Sequence, residues 1–408
     1  LLKHTDKKIT LIEGDLIAHG ATGHNAGYLI ADFEKPFKEI VHEYGLQLAR
    51  EGLMEVEAGW QLYFSIQKEI GLPESKIIDG YEAFSQLPQF IEYLHAEYLK
   101  YGKLISKFYI RDSSYWYGQI PEIFQKHMIV VDDKRFVELM DSKNTNNYKA
   151  ITINKITVSN SAVFTEELAK YCLQHFHDRF AIFEKTHINS IRLLLNQQSI
   201  LDSLYGICTA NKVIICTNGF ENFNIYGPHN TQINKEFHHK VSGLIGYMIG
   251  TVRNKKDCIE RGAIFYEDDY KYEHGPLETG PYIYCTARKF VVDGREGELF
   301  SVGGPEIKLH DRRIYKKDHL VDLGIYEKLE RFQKEMYEIQ EEPVFRWHGL
   351  MGYTETGIRI VGRDRSFPDL YYNLGCNGIG IIPSISGAYR LARIIRGDKL
   401  GPSIFDPN

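Results

Sequence analysis

The stretch ITLIEGDLIAHGATGHNAG, residues 9–27, carries the strongest local signal of the fold. Its apolar run ITLI ends at Glu13, and a loop of Gly, Ala and small polar residues follows. This order is typical of the second strand of a dinucleotide-binding fold, where a terminal acid accepts hydrogen bonds from ribose hydroxyls. The glycine-rich turn of such a fold comes about 20 residues before that acid. Because only twelve residues precede Glu13, we expect the native chain to contain residues before Leu1.

The loop after Glu13 suits a phosphate or a sugar-alcohol chain. Its segment GATGHNAG offers Thr22, Asn25 and several backbone N–H groups that no bulky side chain shields, as in anion-binding turns. Glu13 alone is compatible with an ordinary surface acid. The acid and the loop together favour a nucleotide site.

Composition and charge narrow the class of protein. The chain has 408 residues, of which 43% are apolar and 25% charged, typical of a globular protein with two or three domains. A net charge of −5, without any run of five Lys or Arg residues, argues against nucleic-acid binding. No apolar run reaches the roughly 18 residues of a membrane-spanning helix, so we expect no transmembrane segment.

The six cysteines predict free thiols. Their spacing never approaches C-x-x-C, and no histidine pair accompanies them, so we expect neither disulfides nor a metal site. Free thiols favour a reducing compartment. We therefore predict a cytoplasmic protein, with peripheral association to the inner membrane as the alternative if electrons pass to a quinone.

Apolar periodicity predicts alternating helices and strands at both ends of the chain, with an aromatic, strand-rich block at about residues 238–305. The chain should close with a strand, a glycine turn and a helix over 369–398. This pattern predicts an α/β fold with an inserted antiparallel domain. Further helices are expected at about residues 34–72, 88–104, 160–176 and 318–340, with residues 1–6 as the tail of another.

Four segments carry a resemblance that covers nearly the whole chain. They are HGATGHNAG (19–27), VIICTNGF (213–220), FRWHGLMGYTETGIRIVGR (345–363) and GCNGIGIIPSISGAYRLARIIRGD (375–398). In this order they resemble the signatures of the D-amino-acid-oxidase-like (DAO) family of FAD-dependent oxidoreductases. That family includes glycine, sarcosine, D-amino-acid and γ-glutamylputrescine oxidoreductases. The last segment is the most specific of the four.

The resemblance implies two discontinuous domains and FAD as cofactor. A Rossmann-like FAD-binding domain would comprise residues 1–32, 150–222 and 345–408, without its first strand and glycine turn. An antiparallel-sheet substrate domain would comprise residues 33–149 and 223–344. Relatives that attach the flavin covalently carry a Cys near GLMGYT, and none lies there in this sequence. Non-covalent FAD is therefore expected.

The resemblance also implies a set of FAD contacts. Glu13 would bind the adenosine ribose, and Ile188, in KTHINSI, would meet the adenine from a short parallel strand. The final helix would point its positive N-terminus at the isoalloxazine ring. The remaining expected contacts are Ala21, Thr22, His24, Asn25, Ala26 and Gly27 along the pyrophosphate and ribityl chain, Thr217, Asn218 and Gly219 over the dinucleotide, and Gly375, Asn377, Gly378, Ile379 and Gly380 at the isoalloxazine edge.

On the substrate side, the resemblance places Tyr353 at the flavin face. Tyr247 and Met248 are candidates for the strand that lines the substrate cavity, although GLIGYMIG is also compatible with an ordinary packed strand. His348 is a polar candidate that could instead pack beside Trp347. These side chains, with Tyr353, are the expected catalytic or substrate-side groups.

The expected carboxylate clamp departs from the family pattern. Glycine-oxidase-like members hold the substrate carboxylate with an Arg where this chain has Met351, and with another where it has Gly378. A buried carboxylate needs such a cation, so small α-amino acids become poor candidates. The nearest substitutes in sequence are Arg288, Arg346, Arg359 and Arg363, of which Arg346 could equally be a structural ion-pairing residue.

The function implied is oxidation of a primary or secondary amine or an amino acid. Hydride transfer to flavin N5 would give an imine that water hydrolyses, and oxygen or an electron carrier would reoxidise the flavin. An amine without a carboxylate near the reacting carbon is favoured. Two alternatives stay open: an FAD-dependent dehydrogenase of a hydroxy acid or polyol phosphate, and a flavin-less binding or scaffold protein.

Overall fold

A computed structural model describes residues 1–195, 198–220, 223–233, 241–255, 258–266, 282–292, 294–309 and 323–407. Its α-helices, in chain order, are α1 (Phe37–Tyr44), α2 (Leu46–Glu69), α3 (Leu87–Tyr101), α4 (Glu122–Gln125), α5 (Asp133–Met140), α6 (Ser161–His175), α7 (Leu323–Tyr337) and α8 (Ile381–Arg396). Short 3₁₀ turns lie at Asp112–Ser114, Tyr117–Gln119 and Pro228–Asn230.

The strands within these ranges form four sheets. In chain order they are β1 (Ile9–Ile12), β2 (Tyr28–Leu29), β3 (Ile78–Phe84), β4 (Lys107–Arg111), β5 (Met128–Val131), β6 (Ala150–Val158), β7 (Phe180–Phe183), β8 (Ile188–Leu193), β9 (Ser199–Ser203), β10 (Gly206–Ala210), β11 (Val213–Ile215), β12 (Asn224–Tyr226), β13 (Val241–Arg253), β14 (Arg261–Tyr266), β15 (Tyr282–Val292), β16 (Arg295–Leu309), β17 (Phe345–Thr354), β18 (Ile360–Arg363) and β19 (Leu370–Leu374).

The largest sheet has the order β17-β13-β16-β15-β14-β3-β6-β4-β5, with β2 added beside β6. Most of its pairs are antiparallel, and β14 with β3 and β4 with β5 are parallel. In β13 and β17, Gly246 lies opposite Gly349. A β-carbon at Gly349 would lie 2.9 Å from the carbonyl oxygen of His24, so this glycine lets the loop after β1 pack directly on β17.

Two small sheets contain the parallel pairs expected of a nucleotide-binding domain. β1 pairs in parallel with β7. β11 pairs in parallel with β19, which is antiparallel to β18. Within the described residues β1 and β11 each have one strand partner, and both border the same cavity. A parallel strand between them would give the strand order of a dinucleotide-binding sheet.

The remaining sheet, β10-β9-β8-β12, includes a parallel pair between β8 and β12. The short parallel strand expected around Ile188 is thus present. Ile188 begins β8 and borders the cavity.

Helix α2 packs against α8 at Gly59. The apolar positions of α2 recur at helical spacing, and Ala49, Leu53 and Val56 are fully buried. A β-carbon at Gly59 would lie 2.8 Å from Ile382 Cγ2. This close approach fixes the beginning of α8, which opens onto the cavity.

The α/β fold with an antiparallel sheet is confirmed, and most expected helices are present. Residues 1–6 are an exception, because they form a turn closed by hydrogen bonds from His4 N and Thr5 Oγ1 to Leu1 O. The helix expected from residue 318 is described only from Leu323, since residues 310–322 lie outside the described ranges. Parts of the 238–305 block lie outside them too. The two-domain division remains a prediction.

Candidate functional site

The predicted cofactor residues converge on one cavity of about 2010 Å³. Ordinary small-molecule pockets measure about 300–1,000 Å³, so this cavity is large enough for a dinucleotide together with a substrate. Three segments meet there: the first loop (residues 14–27), the middle turn (residues 217–219) and the last loop (residues 375–380). Glu13 lies at the end of β1 and also lines the cavity, where its Oε1 accepts a hydrogen bond from Asp15 N at 2.9 Å.

Asn25 holds the first loop in shape. Its Oδ1 accepts from Gly27 N at 2.7 Å and from Ser161 Oγ at 2.9 Å. Its Nδ2 donates to the carbonyl oxygens of Ala21 and Thr22, at 3.1 and 2.6 Å. The side chain of Asn25 is therefore committed to the loop, and the neighbouring residues that line the cavity are left to face a ligand.

Asn218 joins the middle turn to the last loop. Its Oδ1 accepts the N–H of Cys376 at 2.7 Å. Its φ of 58° lies in the left-handed region, which Asn tolerates better than most residues. A β-carbon at Gly352 would lie 2.1 Å from the carbonyl oxygen of Asn218, so a glycine is needed for strand β17 to pass behind the turn.

The beginning of α8 suits a negatively charged group. Gly380 precedes the helix and provides no side-chain cap. Ile379, Gly380 and Ile381 all line the cavity. The free N–H groups and the positive end of the helix dipole therefore face the space that a ligand would fill.

Gly378 is the residue of the last loop that approaches the acidic wall of the cavity. Its φ is 75°. A β-carbon there would lie 2.6 Å from the hydroxyl of Tyr353 and 3.2 Å from Glu34 Oε2. Gly378 thus occupies a conformation and a space that disfavour any larger residue.

Three glutamates line this part of the cavity: Glu34, Glu82 and Glu306. The Tyr282 hydroxyl donates to Glu34 Oε1 at 3.0 Å, and the Tyr353 hydroxyl donates to Glu306 Oε2 at 2.8 Å. Glu82 accepts three hydrogen bonds, from Tyr93, Asn154 and Tyr266.

Removal from bulk water raises the pKa of each of these three carboxyls. For Glu34 the charge of Glu306 raises the pKa further, while the hydrogen bond from Tyr282 opposes the shift. For Glu306 the hydrogen bond from Tyr353 opposes it. Desolvation raises the pKa of Glu82 to about 7. Several of these groups therefore exchange protons near neutral pH.

Arg359 also lines the cavity, but its guanidinium is engaged by the protein. Nε donates to Asn373 Oδ1 at 2.5 Å, Nη1 to Gly375 O at 3.1 Å and Nη2 to Asn373 O at 3.3 Å. Desolvation lowers the pKa of Arg359 to about 10. Its bonds tie β19 to the last loop.

The structure brings most of the predicted FAD contacts together. Those that line the cavity are Glu13, Ala21, Thr22, His24, Asn25, Ala26, Ile188, Thr217, Asn218, Gly378, Ile379 and Gly380. Gly27, Gly219, Gly375 and Asn377 lie behind this surface. Asn377, for example, accepts the N–H of Thr354 through Oδ1 at 2.8 Å. Their roles toward a cofactor remain predictions.

The predicted substrate-side residues are dispersed. Met351 lines the cavity, and Tyr353 lies just behind Gly378. Tyr247 is buried in the core between Tyr326 and His348, with ring centroids 5.6 and 5.8 Å away. None of Tyr247, Met248, His348, Arg288 and Arg346 borders the cavity.

The predicted arginines have other neighbours. Arg346 forms an ion pair with Glu330 at 2.7 Å, and Arg363 donates to Pro368 O at 2.6 Å. Arg288 lies over the ring of Phe290 at 5.5 Å. The position of Arg346 agrees with the structural alternative that its sequence context left open.

Sequence reasoning missed Glu34, Glu82, Glu306 and Tyr282. Glu34 precedes α1 in the segment FEKPF and belongs to no recognisable motif. Glu306 lies within β16, whose sequence reads as ordinary β structure. Only the folded arrangement brings these side chains to the last loop.

No helix in the described ranges is long and apolar enough to cross a membrane. Across the same ranges, His, Cys, Asp and Glu side chains form no group of three suited to hold a metal ion.

The fold is shared with several flavoenzymes. Glycine oxidase from Bacillus cereus ATCC 14579 superposes with a TM-score of 0.62 at 17% identity, covering 98% of this chain and 91% of that protein. L-Proline dehydrogenase from P. horikoshii gives a TM-score of 0.66 at 14% identity, covering 98% and 90%. The L-α-glycerophosphate oxidase of Mycoplasma pneumoniae, solved with FAD bound, gives 0.60 at 11% identity, covering 98% and 91%.

The amino-acid sequence gives the family directly. No curated protein matches the chain. The sequence profile of the DAO family, described as FAD dependent oxidoreductase, matches residues 1–394. Such a match covers almost the whole chain, cavity residues included. The chain therefore belongs to the DAO family of FAD-dependent oxidoreductases.

Proposed function

We propose that this enzyme oxidises an amine whose reacting carbon carries no carboxylate. The observation that supports the proposal is the environment of Gly378. Glycine-oxidase-like members that the sequence resembles have an Arg at this position, and another at the position of Met351. Here Glu34 Oε2 lies 3.2 Å from the β-carbon position of Gly378. A carboxylate where relatives place a cation favours a cationic substrate group over an anionic one.

The residues present fit FAD. The uncapped N-terminus of α8 faces the cavity and would stabilise negative charge on the cofactor. The first loop and the middle turn would hold the pyrophosphate and ribityl chain, and Glu13 the adenosine ribose. None of these contacts needs a covalent link, so we expect FAD to be bound non-covalently.

When bound, FAD supplies a hydride acceptor for the α-carbon of the substrate. The chain's own residues would position the amine and exclude water. Met351 and Gly246 form an apolar part of the cavity wall, with a β-carbon at Gly246 only 3.0 Å from Met351 Cε. Alignment of the C–H bond by such a wall is the main catalytic requirement, because hydride transfer needs no strong side-chain base.

A substrate series on the purified holoenzyme tests the proposal. The protein should be yellow, and acid precipitation should release the flavin into the supernatant. Under anaerobic conditions n-butylamine or N-methylbutylamine should bleach the flavin faster than glycine or sarcosine. 2-Hydroxybutyrate and glycerol 3-phosphate should leave it oxidised.

Bleaching by the hydroxy acid or the polyol phosphate instead would overturn the proposal in favour of an alcohol dehydrogenase. A colourless protein that stays colourless with added FAD would favour a scaffold. Whether oxygen or an electron carrier reoxidises the flavin is read from the rate of recovery in air.

A cytoplasmic location forms part of the proposal. All six cysteines are free in the structure, which suits a reducing compartment. Cell fractionation with an antibody to the protein tests it.

A further inference from the structure

We propose that Glu34 and Glu306 bind the ammonium group of the substrate beside Gly378 and accept its proton, so that the substrate is oxidised as a neutral amine. The inference rests on the proposed amine oxidation and names the residues that prepare the substrate for it.

The first argument is position. The hydroxyl of Tyr353 and Oε2 of Glu34 lie 2.6 and 3.2 Å from one point, the β-carbon position of Gly378. The same hydroxyl donates to Glu306 Oε2 at 2.8 Å. Both carboxyls therefore reach the same part of the cavity wall, next to the loop that the helix α8 follows.

The second argument is an oxygen atom left without a donor. Glu34 Oε1 accepts from Tyr282, whereas Oε2 receives no hydrogen bond from any residue in the described ranges. No Lys or Arg of those ranges forms an ion pair with Glu34. A carboxylate oxygen that is partly removed from bulk water and has no donor is less stable than one that accepts a hydrogen bond. A substrate N–H⁺ group would supply the missing donor.

Glu82 provides the contrast within the same cavity. Its carboxylate accepts hydrogen bonds from Tyr93, Asn154 and Tyr266, at 3.2, 2.7 and 3.0 Å. Its charge is already stabilised by the protein and needs no cation from a ligand. The acidic wall thus has one carboxyl, Glu82, whose two oxygens both accept hydrogen bonds from the protein, and another, Glu34, whose Oε2 has no donor in the described part of the chain.

The third argument is the shared charge of the pair. Removal from water raises the pKa of both carboxyls, and the charge of Glu306 raises the pKa of Glu34 further. A carboxyl whose pKa is raised in this way holds a proton more readily than an exposed glutamate, which suits the pair to accept a proton from an ammonium group. The other titratable groups that face the pair are Asp32, Glu82, Tyr282, Tyr353 and Cys376, and Lys100 is held by Asp32 at 2.5 Å.

The proton transfer balances without any further reactant. An R–CH₂–NH₃⁺ group loses one N–H bond, and a carboxylate oxygen of the pair gains an O–H bond. The electron pair of the broken bond stays on nitrogen as the lone pair of R–CH₂–NH₂. No atom is oxidised or reduced in this step.

Binding is the first readout, and it does not need turnover. The holoenzyme is heated with n-butylammonium chloride or with sodium butyrate, and the unfolding temperature is measured from flavin fluorescence. n-Butylammonium should raise the unfolding temperature of the wild type and butyrate should not. Glu34→Gln and Glu306→Gln should lose the shift, whereas Glu69→Gln, a change on the outer surface of α2, should keep it.

The rate of anaerobic flavin reduction is the second readout, measured with the fastest amine of the series. Glu34→Gln should reduce it by about 10²–10⁴-fold near pH 7, the usual contribution of a general base. The difference in rate between Glu34→Gln and the wild type should become smaller as the pH approaches about 10, because the free amine then loses its proton to water. Glu34→Asp should recover part of the rate. A merely structural role would not produce this pH-dependent recovery.

Equal stabilisation of the wild type and Glu34→Gln by n-butylammonium would overturn the inference, as would equal reduction rates at all pH values. Both results leave amine oxidation itself intact. If no amine reduces the flavin of the wild type, both the proposed amine oxidation and the proposed proton transfer are refuted. The shift in unfolding temperature with n-butylammonium then decides only whether Glu34 and Glu306 bind a cation.

Discussion

The hydroxyl of Tyr353 donates to Glu306 at 2.8 Å while it also contacts the space beside Gly378. One side chain thus stabilises a carboxylate of the acidic wall and contacts the loop expected at the flavin edge. Tyr353 was predicted at the flavin face from its motif, and the structure adds its acidic partner.

Replacing Tyr353 by Phe should shift the acidic limb of the pH profile for the rate of flavin reduction. The lost hydrogen bond stabilises ionised Glu306 and opposes the rise in its pKa. A hydrogen bond to a charged group contributes about 1.5–3 kcal/mol, so the limb of flavin reduction should shift upward by about one pH unit or more. Tyr171→Phe, which removes a donor to Glu69 on the surface, is the matched control. An unmoved limb in Tyr353→Phe would contradict the assignment.

Gly378→Ala should impair cofactor binding, whereas Gly71→Ala should not. Both glycines have φ near 75°, namely 75° and 76°, so each substitution costs about 1–2 kcal/mol of backbone strain. Only at Gly378 does the new methyl group meet Tyr353 and Glu34, since nothing lies within 4 Å at Gly71. We expect a larger loss of thermal stability in Gly378→Ala than in Gly71→Ala and, for Gly378→Ala alone, a lower flavin content and an about 10²-fold slower flavin reduction. Flavin content per chain and stopped-flow absorbance check this.

Asn218→Gly should weaken FAD binding by about ten- to a hundredfold. The substitution keeps the left-handed backbone but removes the acceptor of the Cys376 N–H, and an unmade buried hydrogen bond costs about 1–3 kcal/mol. Titration of the FAD-depleted protein with FAD, followed by flavin fluorescence, measures the change. Asn230→Gly, at an exposed turn with φ of 65°, is the control, and an equal loss in both variants would refute the role of the bond.

The acidic pair should make the protein less stable as the pH rises. Because the folded state raises the pKa of Glu34 and Glu306 above the usual 4.5, it binds more protons than the unfolded chain above that pH. The free energy of unfolding therefore falls as the pH increases from about 4.5 through the raised pKa values. At pH 8 Glu34→Gln should melt higher than the wild type, by about 1 °C for each kcal/mol relieved in a chain of 408 residues.

Glu69→Gln should have the opposite effect on thermal stability: at pH 8 it should lower the unfolding temperature. Hydrogen bonds from Lys3 and Tyr171 lower the pKa of Glu69, so its charge stabilises the folded state above pH 4.5 and that contribution is lost in acid. Differential scanning calorimetry from pH 5 to pH 8 distinguishes the two cases. A wild type whose unfolding temperature is flat over this range would contradict the raised pKa values of the pair.

Local patterns predicted the fold and the cofactor residues because those signals are contained in short segments. The apolar run before Glu13, the small residues of the first loop and the GCNGIG turn each adopt the structure that their own sequence favours. The last loop, for instance, is followed by α8 at Ile381, as expected. In such segments the backbone conformation and the ligand contacts come from neighbouring residues.

The substrate side was less predictable because its residues come from distant segments. The positions of Met351 and Gly378 at the cavity were implied by the resemblance. Glu34 and Glu306 belong to no motif, and their proximity depends on how the loop before α1 meets the end of β16. Tyr247 and His348 were predicted from their strand segments to lie on the substrate side. In the structure both rings are buried in the core instead.

The hydrogen bond between Asn218 and Cys376 joins residues 158 positions apart. During synthesis the middle turn leaves the ribosome well before its partner, and until then the Asn218 side chain is hydrogen-bonded to water instead of to Cys376. Contacts of such long sequence separation form late because the intervening loop must first be closed. Flavin should therefore be acquired only after Cys376 has left the ribosome, and a stalled nascent chain that stops before Cys376 should carry none.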